Sequence, residues 1–139
     1  MDRIITDWAG RTAPDLAEFE ALAAAAVAAL PEAFAGAARG VALRVEDFAD
    51  DEMLRSMDIA DAFELTGLYA GVPLTEKSVF DQPTEPDTIW LFRRPILDEW
   101  AARGDVALGA LIAHVYVHEL AHHLGWSDAD IATVDEWWN

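Results

Sequence analysis

The first third of the chain has apolar residues at the spacing of an amphipathic helix. A helix is predicted to begin at the capping box Thr12-Ala-Pro-Asp15 and to run through an alanine-rich stretch to Leu30, just before Pro31. Its apolar residues recur every three or four positions and form one stripe, which we interpret as core packing. The stripe comprises Leu16, Phe19, Leu22, Ala23, Ala26, Val27 and Leu30.

Three short segments have the composition of strands. Residues 41–48 (VALRVEDF) alternate apolar and charged side chains, which is typical of a half-buried strand. Residues 63–69 could pair as a second strand, with glycines marking a bend. The β-branched and aromatic run TIWLF, 88–92, predicts a third strand, which we expect at an edge of the sheet. Between the first two strands, acidic residues 50–61 predict a loop with a short helix and no chemistry of its own.

The last third of the chain predicts three helices. One begins near Pro95 and ends at Arg103, before a glycine. A long apolar helix is then expected from a cap at Asp105 to Leu124, where Gly125 ends it. A further capping box predicts a final helix over residues 128–138.

Length and composition limit the class of protein. A chain of 139 residues with 53% apolar content can bury a core by itself, so we expect one domain over residues 1–139. It contains no cysteine, which excludes disulfides, zinc-thiolate sites and thiol catalysis. Any metal ion must therefore be held by imidazole and oxygen ligands.

The charge and the apolar runs argue against two kinds of partner. Nine Lys and Arg residues oppose 26 Asp and Glu residues, and the resulting net charge of −17 repels nucleic acids and anionic membranes. The longest apolar runs, such as 22–30 and 106–113, are much shorter than the ~20 residues of a membrane-spanning helix. The N-terminus also lacks the apolar stretch of a secretory signal, so we expect a cytoplasmic protein with no nucleic-acid or membrane partner.

All four histidines lie within ten positions of the long apolar helix, from His114 to His123. His118 and His122 are four residues apart, so both rings project from one face, with their Cβ atoms about 5–6 Å apart. Glu119 follows the first of them and completes an H-E-x-x-H motif, in which the glutamate is the catalytic base. His114 and His118 could also bind a metal, but that pair has Val115 in the glutamate's position.

A catalytic zinc normally takes three protein ligands, so the motif needs one more. Gly125 can reverse the chain, and Asp128 is the first carboxylate after it, which gives H-E-x-x-H-x-x-G-x-x-D. This spacing is close to the metzincin motif, with Asp in place of the last His. We therefore predict Zn2+ with His118, His122 and Asp128 as ligands.

The two remaining histidines are expected to do something else. His123 points about 100° around the helix from His122, so a role in supporting the ligands or at the surface is favoured over ligation. His114 is interpreted as a packing or supporting residue.

The sequence resembles the minimal zincins, a family of small zinc metallopeptidases. The resemblance is carried by VHELAHHLGWSD (117–128), ELTGLYAGVPL (64–74) and DTIWLFRRPIL (87–97). Thr66 stands where the family usually has leucine, and no methionine turn follows Asp128. The resemblance implies a compact α+β fold, with a small mixed sheet packed against helices that include the metal helix. It also implies His118, His122 and Asp128 as zinc ligands and Glu119 as the catalytic carboxylate.

These observations predict a zinc-dependent peptidase that hydrolyses a peptide or protein substrate through a zinc-bound water, with Glu119 as general base. The substrate is expected to pair with strand 88–92, and Tyr69 or Tyr116 could supply a further hydrogen bond to the oxyanion. Two alternatives stay open. One is a non-catalytic metal-binding or interaction module, and the other is a metal-free acidic adaptor.

Overall fold

The computed structural model describes residues 13–71 and 87–125. Within these ranges the chain forms α-helices, a 3-10 turn and three strands. In chain order they are α1 (Leu16–Ala28), α2 (Glu32–Ala38), β1 (Ala42–Glu46), α3 (Asp51–Ser56), the 3-10 turn (Ala62–Glu64), β2 (Gly67–Ala70), β3 (Thr88–Phe92), α4 (Arg93–Arg103) and α5 (Leu108–His123). The helix that carries the H-E-x-x-H motif is α5.

The three strands form one mixed sheet in the order β1-β3-β2. β1 pairs parallel with β3, and β2 pairs antiparallel with it. The α+β fold with a small mixed sheet is thereby confirmed, but the prediction that 88–92 is an edge strand is wrong. β3 is central because it is apolar on both faces: Ile89 and Leu91 are fully buried on one side and Phe92 on the other.

The main core lies between α5, α1 and one face of the sheet. Leu108, Leu111, Ile112 and Leu120 of α5 have no exposed surface. They pack with Phe19 of α1 in one contiguous apolar cluster. Each such side chain stabilises the fold by roughly 1.5–3 kcal/mol relative to exposure, so the position of α5 is set mainly by its apolar residues.

The opposite face of the sheet has a smaller cluster built around Phe92, Leu65 and Ala49. Trp90 packs there as well, and the guanidinium of Arg44 lies 4.8 Å from the centre of its ring. Both faces of the sheet are therefore covered by apolar clusters, and the two clusters differ in size.

Several helix boundaries differ from the predictions. α1 is capped by Asp15 rather than Thr12: the Asp15 carboxylate accepts from the Glu18 backbone at 2.8 Å, and the Glu18 carboxylate accepts from the Asp15 backbone at 2.9 Å. The predicted apolar stripe from Leu16 to Leu30 is confirmed, since all of its residues are buried or half-buried. α2 was not predicted, because seven alanine-rich residues after Pro31 have no clear periodicity.

The start of α5 also differs from the prediction. Its N-cap is Ala107, which makes no side-chain capping hydrogen bond, so the predicted cap at Asp105 is wrong. A local side-chain contact holds this loop, because the indole N–H of Trp100 donates to the carbonyl of Val106 at 3.0 Å. The predicted stop of α4 at Gly104 is confirmed by its left-handed φ of 76°.

The other predicted elements agree with the structure in part. Strand 41–48 is seen as β1, and a short helix lies in the acidic segment as α3. β2 is shorter than residues 63–69, because 62–64 form the 3-10 turn instead. The predicted helix over 128–138 lies outside the described residues. No helix in the described part is long and apolar enough to cross a membrane.

Candidate metal centre

The last two turns of α5 carry three of the four predicted site residues. His118, Glu119 and His122 are half-buried, next to the fully buried Leu120. The ring centres of His118 and His122 lie 5.2 Å apart, with the ring planes at 72°. Two imidazoles one turn apart on the same helix face are at a spacing that can serve one metal ion.

Strand β2 passes directly against α5 at Glu119. A Cβ atom on Gly67 would lie 3.3 Å from Cγ of Glu119 and 2.8 Å from Cγ1 of Val115. Such a contact is too close for any side chain, so glycine is what permits the approach. The sequence interpretation of this glycine as a bend is therefore replaced by a close approach of β2 to the side-chain stem of Glu119.

The backbone of β2 is hydrogen-bonded to β3 on one side only within the described residues. The N–H of Phe92 donates to the carbonyl of Thr66 at 2.9 Å, and hydrogen bonding alternates along an antiparallel pair. The backbone groups of Gly67 and Tyr69 must then point away from β3. The edge strand beside the candidate site is thus β2, not the 88–92 strand.

The donor atoms in this region fit a zinc ion in kind. Imidazole nitrogens and carboxylate oxygens are ordinary zinc ligands, and His118 and His122 present two imidazoles together. The predicted third ligand, Asp128, lies outside the described residues. Among residues 13–71 and 87–125, no group of three or more His, Asp or Glu side chains is arranged to hold a metal ion.

The helix ends directly after the motif. Gly125 has a left-handed φ of 90°, and its N–H donates to the carbonyl of His122 at 2.9 Å. The predicted stop of the metal helix at Gly125 is therefore confirmed. This conformation favours glycine because it has no Cβ.

His123 lies in a buried polar cluster beside the candidate site. Its side chain is 4% exposed, and its Nδ1 lies 3.0 Å from the hydroxyl of Tyr69 and 3.5 Å from Oδ2 of Asp87. The surface role considered for His123 is therefore wrong. Sequence reasoning missed Asp87, which is 36 positions before His123, and nothing in the local pattern singles it out.

His114 lies one turn before His118 on α5 and is half-buried. Its expected packing or supporting role stays a prediction. Tyr116 is 1% exposed and belongs to the main core, so it is not placed to contact a substrate.

A comparison with protein families identifies a family whose model covers most of the chain. The family model described as Zincin-like metallopeptidase matches residues 38–138, from the end of α2 through β1, the sheet, α5 and beyond. The chain belongs to this family. The resemblance stated from the sequence is thereby confirmed. Comparison with curated proteins gives no match for this zincin.

The two tyrosines of the zincin differ in their electrostatic surroundings. Burial raises the pKa of Tyr69 from 10.0 to about 12, with further contributions from the charge of Asp87 and a hydrogen bond to its carboxylate. Burial alone raises the pKa of Tyr116. Both phenols therefore stay protonated at neutral pH, and Tyr69 has a proton to donate.

Proposed function

We propose that this zincin is a zinc-dependent peptidase in which His118, His122 and Asp128 hold the metal and Glu119 is the general base. The observation that carries the proposal is the juxtaposition on α5 of two neighbouring imidazoles with a glutamate that lies against the edge strand. A zinc ion at this position would supply a Lewis acid that polarises the scissile carbonyl and acidifies a water molecule. Family membership supports a metallopeptidase, and zinc and this ligand set are our assignment.

Glu119 performs the proton transfers in this proposal. A carboxylate oxygen of Glu119 takes a proton from the attacking water and then passes it to the leaving amine. β2 comes so close to Glu119 at Gly67 that an added Cβ there would lie 3.3 Å from Cγ of Glu119, which restricts the space open to the side chain on that side. A base held in one position avoids part of the entropic cost of aligning the reacting groups.

β2 is the part of the sheet that suits a peptide substrate. The outward N–H and C=O groups of Gly67 and Tyr69 can pair with an extended peptide, as in β-strand addition. The strand lies beside Glu119, so a peptide bound there would run along the candidate metal centre. We therefore assign substrate binding to β2 in place of the 88–92 strand.

The proposal is tested by metal analysis and by peptide cleavage. Purified protein should contain one zinc ion per chain and cleave members of a peptide library. Glu119→Gln should retain zinc and lower kcat/KM by roughly 10²–10⁴. Glu20→Gln, at an exposed position of α1, is the matched control and should leave cleavage unchanged.

The possible failures separate the alternatives. Full activity in Glu119→Gln would exclude Glu119 as the base. Stoichiometric zinc without cleavage of any peptide would favour a non-catalytic metal-binding module. Protein that folds and takes up no zinc would favour the metal-free adaptor.

A further inference from the structure

Three polar side chains meet at the end of α5, and the proposed reaction uses none of them. They are Tyr69 of β2, Asp87 directly before β3, and His123 at the last position of α5. We propose that these three residues form a polar clamp that holds the last turn of α5 and thereby positions His122 for the metal. This inference rests on the proposed function and adds positioning residues to it.

The hydrogen atoms of the clamp can be accounted for. The Asp87 carboxylate can only accept hydrogen bonds, whereas the phenol of Tyr69 carries one proton. If the phenol donates to Asp87, its oxygen is free to accept from Nδ1–H of His123, 3.0 Å away. This arrangement gives each of the three groups a hydrogen-bond partner within the clamp and selects the His123 tautomer with its proton on Nδ1.

The clamp is closely packed as well as hydrogen-bonded. Side-chain exposure is 4% for His123 and 11% for Asp87. A Cβ atom on Gly71 would collide with the Asp87 carboxylate and would lie 2.9 Å from the Tyr69 hydroxyl. The rings of Tyr69 and His123 also contact each other edge to face, with centres 5.4 Å apart. Buried polar groups that satisfy one another in this way fix a single arrangement.

The position of the clamp connects it to the proposed metal ligand. His123 directly follows His122, so any rotation or fraying of the last turn moves both side chains. The turn ends with two backbone hydrogen bonds, from Leu124 to Leu120 and from Gly125 to His122, and terminal turns of helices open more readily than their interiors. A zinc–nitrogen bond requires a distance of about 2.0–2.1 Å, so a turn that frays weakens metal binding.

The experiment compares Tyr69→Phe with Tyr116→Phe. Each variant removes one phenol oxygen and keeps the ring. Tyr116 is on α5, but its side chain packs in the main apolar core and is not part of the clamp. The first measurement is amide hydrogen exchange of residues 120–124 in metal-free protein. The second is the affinity for zinc, measured by competition with a chelator, together with the visible spectrum of the cobalt-substituted protein.

We expect Tyr69→Phe to speed amide exchange in the last turn and to weaken zinc binding about 10–100-fold, as for other groups that orient metal ligands. Tyr116→Phe should change zinc affinity less than twofold. Asp87→Asn is a second variant and should also weaken zinc binding. The cobalt spectrum should change in Tyr69→Phe and not in Tyr116→Phe.

The outcomes distinguish this inference from the proposed function. Wild-type zinc affinity and exchange rates in both Tyr69→Phe and Asp87→Asn overturn the clamp and leave the peptidase proposal intact. A wild-type protein that takes up no zinc overturns the peptidase proposal. The exchange rates of the last turn in metal-free protein then still decide whether the clamp orders it.

Discussion

The two halves of α5 differ in what surrounds them and in what they contribute. Residues 108–117 are mainly apolar and pack against α1 and the sheet, with Leu108, Leu111 and Ile112 fully buried. Residues 118–123 contain three histidines and a glutamate and lie beside β2. One continuous helix thus has a half that stabilises the fold and a half that carries the candidate chemistry.

The two halves of α5 should therefore differ in the amino-acid substitutions that they tolerate. An apolar core depends on volume and burial, and it accepts side chains of similar size. Residues 118–123, the site half, depend on the directions of individual polar groups, so small displacements there would change the geometry of a bound metal ion. Rigid packing of the first half is what gives the second half a fixed base.

The largest expected effect comes from shortening an apolar side chain in residues 108–117, the core half of α5. Leu111→Ala should lower the free energy of unfolding by about 2–5 kcal/mol, because it leaves a cavity in a fully buried site. His118→Ala should lower it by less than about 1 kcal/mol in metal-free protein, since the side chain is half-buried. Urea unfolding in the presence of a chelator measures both.

Zinc binding should show the reverse order for the same two variants. His118→Ala should abolish uptake of zinc, whereas folded Leu111→Ala should bind it with an affinity close to that of the wild type. Equal losses of zinc affinity in the two variants would contradict the division of α5 into two halves.

A smaller effect on stability is expected where β2 passes close to residues 118–123 of α5. Gly67→Ala places a Cβ 2.8 Å from Cγ1 of Val115 and 3.2 Å from the carbonyl oxygen of Trp90, so it should destabilise the fold by about 1–3 kcal/mol and shift Glu119. Gly36→Ala is the control. Its Cβ would meet nothing closer than 3.5 Å, and alanine within a helix should stabilise by about 0.5–1 kcal/mol. Thermal unfolding of the two variants should therefore shift in opposite directions.

The smallest effect concerns alkaline pH. The pKa of Tyr69 is about 12 in the folded protein and near its ordinary value of 10.0 when unfolded. Between these values the unfolded chain releases the phenol proton while the folded protein keeps it, so stability falls as the pH rises from about 10 to about 12. Below about pH 10 this contribution is fully present.

Tyr69→Phe removes this group, so its loss of stability between about pH 9 and about pH 11 should be smaller than that of the wild type. Urea unfolding at the two pH values measures the difference. An equal loss in both proteins would show that Tyr69 does not titrate abnormally.

Local patterns in the sequence predict the parts of the fold that depend on neighbouring residues. The TIWLF run forms β3 with the predicted bounds, and the end of α5 follows from Gly125. Spacing of four residues was enough to place His118 and His122 on one face, because helical geometry is local.

Features that depend on distant residues could not be read in this way. The central position of β3 follows from pairing with both β1 and β2, which sequence order does not specify. The start of α5 at Leu108 was also missed, although the contact that holds the preceding loop is a local one, from Trp100 to Val106. The clamp joins Tyr69 to His123 across 54 positions, so only the tertiary structure brings it together.

If the proposed substrate pairs with β2, the alternation of hydrogen bonds along this strand limits how a peptide is selected. Only two residues of this strand, Gly67 and Tyr69, turn their amide groups outward, and they are about 6–7 Å apart along the chain. A polypeptide bound there would be held by main-chain hydrogen bonds over roughly three residues. Cleavage should therefore depend on whether a stretch of the target is locally unfolded more than on a long recognition sequence.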